Sequence, residues 1–272
     1  MWIGGDVFLG AGGRGALTGI RAIVGGAPGV VNLEGPVGDG GAAGQPLRLT
    51  HARRALAELR AAGVVAAGIA NNHARDAGPD GAAETARALA AAGVRAAGGP
   101  AGAATLSVGG LRVVVTAHDL EAGVPATLGE DLRAARRRGN VLVATFHVTG
   151  PPRYLPRPEL VDAVAVAVDA GAAVIAAHGT HELARVERRG RTVIAWGLGN
   201  LTFACACTDE ETGALLEVAL GPEGAGEASI IPIDAGLGDT TARAAADPAL
   251  TFELLEALGS SRLTRRGDRA AF

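Results

Sequence analysis

Ala70-Asn71-Asn72-His73-Ala74-Arg75-Asp76-Ala77-Gly78 is the stretch on which the reading of this chain turns. It stands between Val64–Ala70, a short Val/Ala/Ile run that reads as a strand, and Pro79–Ala92, whose alanines and leucine read as a helix with proline near its first turn. A dense polar block between strand and helix belongs in the crevice that α/β sheets form at the carboxyl ends of their strands. His73 and Asp76 pair an imidazole with a carboxylate that can fix its tautomer and stabilise its charged form, the requirement for acid–base chemistry. A structural histidine would not need the asparagines around it.

Outward from this block, short Val- and Ile-rich runs alternate with longer Ala/Leu/Arg stretches. Strands are predicted at Trp2–Leu9, Gly29–Leu33, Val94–Ala97, Leu111–Ala117, Val141–His147, Ala172–Ala177 and Thr192–Trp196. Helices are predicted at Thr50–Ala62 (Thr50 as N-cap), Gly129–Arg138, Arg157–Ala170 and Pro248–Leu258. After Leu201 the pattern turns to strands without helices between them, Gly213–Leu220 and Ala228–Ile233. This is an α/β chain with extra strands. It reads as one domain over residues 1–261, with 262–272 as a flexible arginine-rich tail.

Composition excludes several chemistries. The 272 residues contain no lysine, all 25 Lys+Arg positions being arginine, so pyridoxal phosphate (PLP), Schiff-base and P-loop lysine chemistry have no anchor. Serine occurs only at Ser107, Ser229, Ser260 and Ser261, none in a Gly-x-Ser-x-Gly elbow. A net charge of -3 and few aromatic residues give no basis for a nucleic-acid partner. Met1-Trp2-Ile3-Gly4-Gly5-Asp6 starts in what reads as a core strand, with no basic or long apolar leader, so the expectation is a cytoplasmic protein with no membrane partner. A disulfide between Cys205 and Cys207 would be strained, and the pair reads as small buried strand residues.

The remaining polar groups also gather after strands: Asp6; Asn32 with Glu34; His118 with Asp119; His147; and His178, His181 and Glu182. Oxygen donors and imidazoles converging on one rim suit a divalent cation such as Ca, Mn, Fe or Zn. Arg153 and Tyr154, in the proline-rich segment after His147, offer a contact to a substrate carboxylate. His51 reads as a surface residue at a helix start, and Glu182 as half of a surface ion pair. Arg136, Arg137 and Arg138 read as a charged helix end that complements the dipole.

Gly5-Asp6, Asn32-Leu33-Glu34-Gly35-Pro36, the Asn71–Gly78 block, His147, His178 and His181, and Gly197-Leu198-Gly199-Asn200-Leu201-Thr202-Phe203 occur in an order and at distances that resemble CapA-type (poly-gamma-glutamate capsule synthesis) proteins of the calcineurin-like metallophosphoesterase superfamily. The resemblance implies a four-layered α/β/β/α sandwich with a metal centre at the sheet edge. It implies Asp6, Glu34, Asn72, His147 and His181 as metal ligands and His73, oriented by Asp76, as general acid or base. Asn32, Asn71 and His118 are candidate substrate contacts. The chain departs from the family at Val148-Thr149-Gly150-Pro151, where a Trp-Gly-x-Glu run is usual. It departs again at Ala177-His178-Gly179-Thr180-His181, which lacks one histidine of the usual close pair.

The thinned ligand set ranks three readings. Relatives of CapA-type proteins include peptide epimerases, and the first expectation is Cα epimerisation of a peptide or other small carboxylate-bearing substrate, with His147 or His178 opposing His73–Asp76. The second is a metal-dependent hydrolase of phosphoesters, esters or amides. The third is a non-catalytic binding protein with a degenerate site.

Overall fold

The alternating Val/Ile and Ala/Leu stretches become, in a computed structural model describing residues 1–38, 48–150, 154–205 and 207–272, two β-sheets with helices packed on them. The chain opens with β1 (Trp2–Phe8), a short helix α1 (Ile20–Ile23) and β2 (Gly29–Leu33). Then α2 (Leu56–Ala61) leads to β3 (Val64–Gly68), and α3 (Gly81–Ala91) to β4 (Arg95–Ala97). A second sheet follows from the hairpin β5 (Ala104–Val108) and β6 (Leu111–Asp119), then α4 (Leu128–Arg137), β7 (Val141–His147), α5 (Pro158–Asp169) and β8 (Val174–His178). It is completed by β9 (Val186–Arg189) and β10 (Thr192–Ala195). The chain returns to the first sheet through β11 (Asn200–Phe203), β12 (Thr212–Gly221), β13 (Gly224–Asp234), β14 (Gly236–Leu237) and β15 (Arg243–Ala244). It ends with α6 (Pro248–Ala257), β16 (Thr264–Arg266) and β17 (Arg269–Ala271).

The main path of the first sheet runs β16-β17-β13-β12-β1-β2-β3-β4, and the second runs β5-β6-β7-β8-β10-β9. In β1, β7 and β8 every residue is buried, as expected of strands covered on both faces. The period of two sends alternate side chains into different cores. Val113 and Val115 of β6 face Ile3, Val30 and Ala66 of the first sheet, whereas Val114 faces the helix side with Leu132 and Leu160. Helix α4 buries Leu128, Leu132 and Ala135, one stripe at helical spacing. At the first sheet, Trp2 is fully buried with its indole donating to Ala27 O at 2.9 Å. Gly29 leaves room for the ring, since a Cβ there would fall 2.1 Å from it.

The parallel strands β1–β2–β3 and β6–β7–β8 end together, and their registers align the polar residues in rows. Asp6 stands opposite Asn32 and Asn200 in the first sheet, and His147 stands opposite Asp119 and His178 in the second.

Several expectations are corrected. Residues 262–272, expected as a flexible tail, contain the hairpin β16–β17, which adds to β13 through Ser229↔Ala271 and Ile230↔Ala270. Thr50 caps no helix: a 3-10 turn at Arg53–Ala55 precedes α2, and His51, next to Thr50, is drawn into a bridge with Val37. Cys205 and Cys207 lie after β11, half-buried and exposed, joined to each other rather than packed in a strand. Glu182 is buried, not a surface group.

His51, expected at the surface, is fully buried. Its Nδ1 accepts the Leu9 N–H at 3.2 Å and its Nε2–H donates to the Glu34 carbonyl at 3.0 Å, which ties the β1 exit to the loop carrying Glu34. Burial pushes its pKa down to about 4 against the opposing pull of the Glu34 and Gly35 backbone. With the folded pKa below the unfolded 6.5, the neutral ring's stabilisation is complete above pH 6.5 and lost as pH falls through about 4, amounting to ~3 kcal/mol. His51→Gln is expected to cost about 1–3 kcal/mol at pH 7 through a lost buried partner. It should also flatten the dependence of urea-unfolding stability on pH between 6.5 and 4; an unaltered slope would refute this assignment.

Candidate metal centre

Where the carboxyl ends of the two sheets meet, Asp6, Glu34, His147 and His178 are buried and His181 is about three-quarters buried. One ligand atom each from Asp6, Glu34 and His147 lie within 4.8 Å of one another. Asp6 Oδ1 is 3.5 Å from His178 Nδ1, and Asp6 Oδ2 is 3.4 Å from His181 Nδ1. Glu34 Oε1 is 3.7 Å from both His147 Nε2 and His181 Nε2. Glu34 Oε2 and both ring nitrogens of His147 and of His178 have no hydrogen-bond partner although they are buried. Orphaned polar atoms of this kind are costly in a protein interior. Carboxylate oxygens and imidazole nitrogens left bare around one point fit a divalent cation of the hard-to-borderline type.

The cluster is held by groups behind it. Asn32 Nδ2 donates to Asp6 Oδ1 at 2.8 Å, and Asn71 Nδ2 donates to Asn32 Oδ1 at 3.2 Å and to Leu33 O at 2.9 Å. The Gly179 N–H donates to Asp6 Oδ2 at 3.0 Å. His181 Nδ1–H donates to Asn200 Oδ1 at 2.9 Å, while the Asn200 amide donates to Glu210 O at 3.2 Å, so Nε2 is the nitrogen turned toward Glu34. The Phe203 ring stands edge-on to His181 at 4.8 Å. His181 is the non-glycine residue with positive φ (62°) among the described residues, a strained backbone of the sort kept at functional sites.

The groups of the cluster shift one another's proton affinity. Burial alone would raise the Asp6 pKa, but His178 and His181 hold it well below the usual carboxylate range. Burial opposes charge on His181, yet Asp6, Glu34 and Asn200 lift it to about 9. His147 is likewise raised, burial being outweighed by Glu34, Asp6 and Asp119. Bound metal would replace these protons.

The structure separates the expected site residues. It brings together Asp6, Glu34, His147, His178 and His181, with Asn32 and Asn71 behind them. His73 Nδ1 and Asp76 Oδ2 pair at 2.7 Å, and Asp76 Oδ2 also accepts the Leu49 N–H at 2.7 Å. Asn72, expected as a ligand, is exposed and lines a neighbouring cavity of about 660 Å³ with Arg75, Asp119 and Glu121. His178, expected as an acid or base, is sealed against Asp6 in the cluster. His118 does not reach the site: it lies one register step beyond Ala117 in β6, on the helix side, 5.8 Å from the Phe146 ring. Tyr154 is 43 % exposed, and Arg153 lies outside the described residues.

Four contributors had no role assigned from the sequence. Asn200 and Phe203 lay in the quoted Gly-Asn-x-x-Phe block. Asp119 and Glu121 form, with His147, a second group of potential ligand atoms within 4.8 Å of one another. Glu121 is also engaged by the Thr149 N–H and by Arg157. The position of Asp119 at the end of β6 was the available signal.

Residues 17–204, more than half of the chain, match the family described as bacterial capsule synthesis protein PGA_cap, and the chain belongs to that family. In fold it is similar to a hypothetical protein from Thermus thermophilus, at 17% identity with a TM-score of 0.55, over 86% of this chain and 98% of that one. No curated protein matches the chain in sequence. Among the described residues, no helix is long and apolar enough to cross a membrane.

Gly179 lies between His178 and His181, against the His147 ring. A Cβ there would fall 2.7 Å from His147 Cε1 and 2.9 Å from Val148 O, at a φ of +97°. Gly179→Ala is therefore expected to weaken divalent-metal binding about tenfold or more by displacing His147, read by equilibrium dialysis with elemental analysis. Wild-type affinity in that variant would remove His147 from the ligand set. Metal loading at pH 7 should release protons, and affinity should climb as pH rises toward 9. Calorimetry in buffers of differing ionisation enthalpy measures this, and a buffer-independent heat would contradict it.

Proposed function

We propose that the chain is a metal-dependent hydrolase whose centre is built on Asp6, Glu34, His147, His178 and His181, within a calcineurin-like arrangement of two sheets between helices. The observation that carries this reading is the buried Asp6–Glu34–His147 group, whose ligand atoms converge while several of them lack any hydrogen-bond partner. Family membership supports it. A divalent cation bound there would supply Lewis-acid polarisation of the substrate and acidification of water.

The protein's own groups do the rest. Asn32 and Asn71 orient Asp6 and lock the β2 and β3 loops together, with the Gly35 N–H donating to Asn71 Oδ1 at 3.4 Å. His73, part-buried and fixed by Asp76, is the proton carrier. The Asp76 carboxylate accepts from His73 Nδ1–H, which leaves Nε2 to take a proton from attacking water or give one to the leaving group. The cavity beside Asn72 is the place for the substrate body. Its wall mixes apolar Ile69, Pro79 and Pro100 with Arg75 and the carboxylates of Asp80, Asp119 and Glu121, so it accommodates an organic substituent that carries polar groups.

Epimerisation has no comparable support. It calls for two acid–base groups on opposite faces of one carbon. Among the described residues His73–Asp76 is the histidine–carboxylate pair outside the buried cluster, and His147 and His178 are both inside it.

The test couples metal content to turnover on a panel of phosphodiester, phosphomonoester, ester and amide substrates. His147→Ala should lose both metal and activity. His73→Asn should keep the metal and lose about 10²–10⁴-fold in kcat with KM little altered. Metal-loaded wild-type protein inert toward the whole panel, yet incorporating solvent deuterium into peptides, would return the reading to epimerisation. Failure of wild type to bind any divalent metal would defeat both.

A further inference from the structure

At the opposite end of the second sheet from the metal centre, four arginines drawn from three elements share one groove. Arg95 comes from β4, Arg112 from β6, and Arg137 and Arg138 from the end of α4 and the residue after it; the groove has a volume of about 810 Å³. The dipole of α4 accounts for cations at its C-terminus. It does not account for Arg95 and Arg112, which arrive from strands of two different sheets.

Among the described residues no carboxylate lines the groove, and none of these four arginines forms an ion pair. Elsewhere arginines are matched to acids, as in Arg191–Glu223, Arg265–Glu256 and Arg269–Glu217. Four like charges gathered without a counter-charge, in a chain of net charge -3, repel one another and favour an anion among them.

The groove is also built from donors. Arg138 Nη2 is steadied on Ala103 O and Thr105 Oγ1, each at 3.4 Å, and Arg112 Nη1 on Arg138 O at 3.5 Å. Asn140 Oδ1 is taken up by the Arg112 backbone N–H at 2.8 Å, so the side-chain amide presents its N–H groups. The hydroxyl of Ser107 completes the wall.

We propose that this groove binds a small anion carrying two or more phosphate groups, at a site separate from the metal centre. A single carboxylate would leave most of the positive charge uncompensated, while guanidinium forks match phosphate oxygens two at a time. Arg112 and Asp119 mark the two ends of β6, about 23 Å apart at the rise of a strand, so one small ligand cannot span both sites.

The probe is inorganic pyrophosphate, titrated calorimetrically into metal-stripped full-length protein at constant ionic strength. Wild type and Asp6→Ala should both bind it saturably. The double variant Arg112→Ser/Arg137→Ser should bind about tenfold or more weakly. Both side chains are exposed, so that variant should keep or exceed the wild-type Tm without ligand. Equal affinity in the double variant overturns the proposal, as does loss of binding in Asp6→Ala, which would place the anion at the metal centre. Citrate binding as tight as pyrophosphate would overturn the assignment to phosphate.

Discussion

Two carboxylates, Asp6 and Glu34, are buried to about 1 % exposure at the seam between the two sheets, and the molecule is arranged around their need for positive charge. An isolated carboxylate in such a place would be neutralised or would unfold the seam. Here three imidazoles approach from β7, β8 and the loop after β8, and the second sheet thereby supplies the polar partners that the carboxylates of the first sheet require. The electrostatic contact across the seam is also the candidate metal centre. Structure and chemistry draw on the same few atoms.

Holding the seam needs both close approach and rigid support. Gly5 lies against Gly199, where a Cβ would sit 1.9 Å from the Gly199 carbonyl oxygen, and this admits β11 with Asn200 to the side of Asp6. Gly179 lies against His147 in the same way and lends its N–H to Asp6. Behind Glu34, the neutral ring of His51 fixes the loop by accepting from one strand exit and donating to the other. The histidines thus divide by environment. Burial holds the His51 pKa down to about 4, carboxylates raise those of His147 and His181, and His73 is paired at the rim with Asp76.

The departures from the usual family pattern acquire a physical meaning in this frame. The close histidine pair is reduced to His178 and His181, and Gly179 between them is a packing necessity: the space a side chain would need is occupied by His147. Asp119 and Glu121 bring carboxylates to the far side of that same imidazole.

Much of this was legible in the sequence. The short Val- and Ile-rich runs placed the strands, with β2 at Gly29–Leu33 and β7 at Val141–His147 matching to the residue, because strands covered on both faces need unbroken small and branched side chains. Asp6, Glu34, His147 and His181 stood out at or near strand ends, which parallel strands bring to one edge, and the family resemblance singled them out as ligands. The His73–Asp76 pair was readable from local spacing alone. What lay beyond the sequence were facts of direction and of long-range pairing. His118 follows a strand as His147 does, yet it falls on the helix side, and only the packing of the second sheet decides which parity of β6 faces inward. His51 looked like a helix-start residue until the bridge to Val37 drew it into the interior. The arginines of residues 262–272 suggested a solvated tail, but β13 offered an unpaired edge and the hairpin took it. Local pattern determined which residues form elements and which carry reactive groups. The tertiary structure decided which of those groups share a charge environment, because burial and partner identity depend on contacts between residues far apart in the chain.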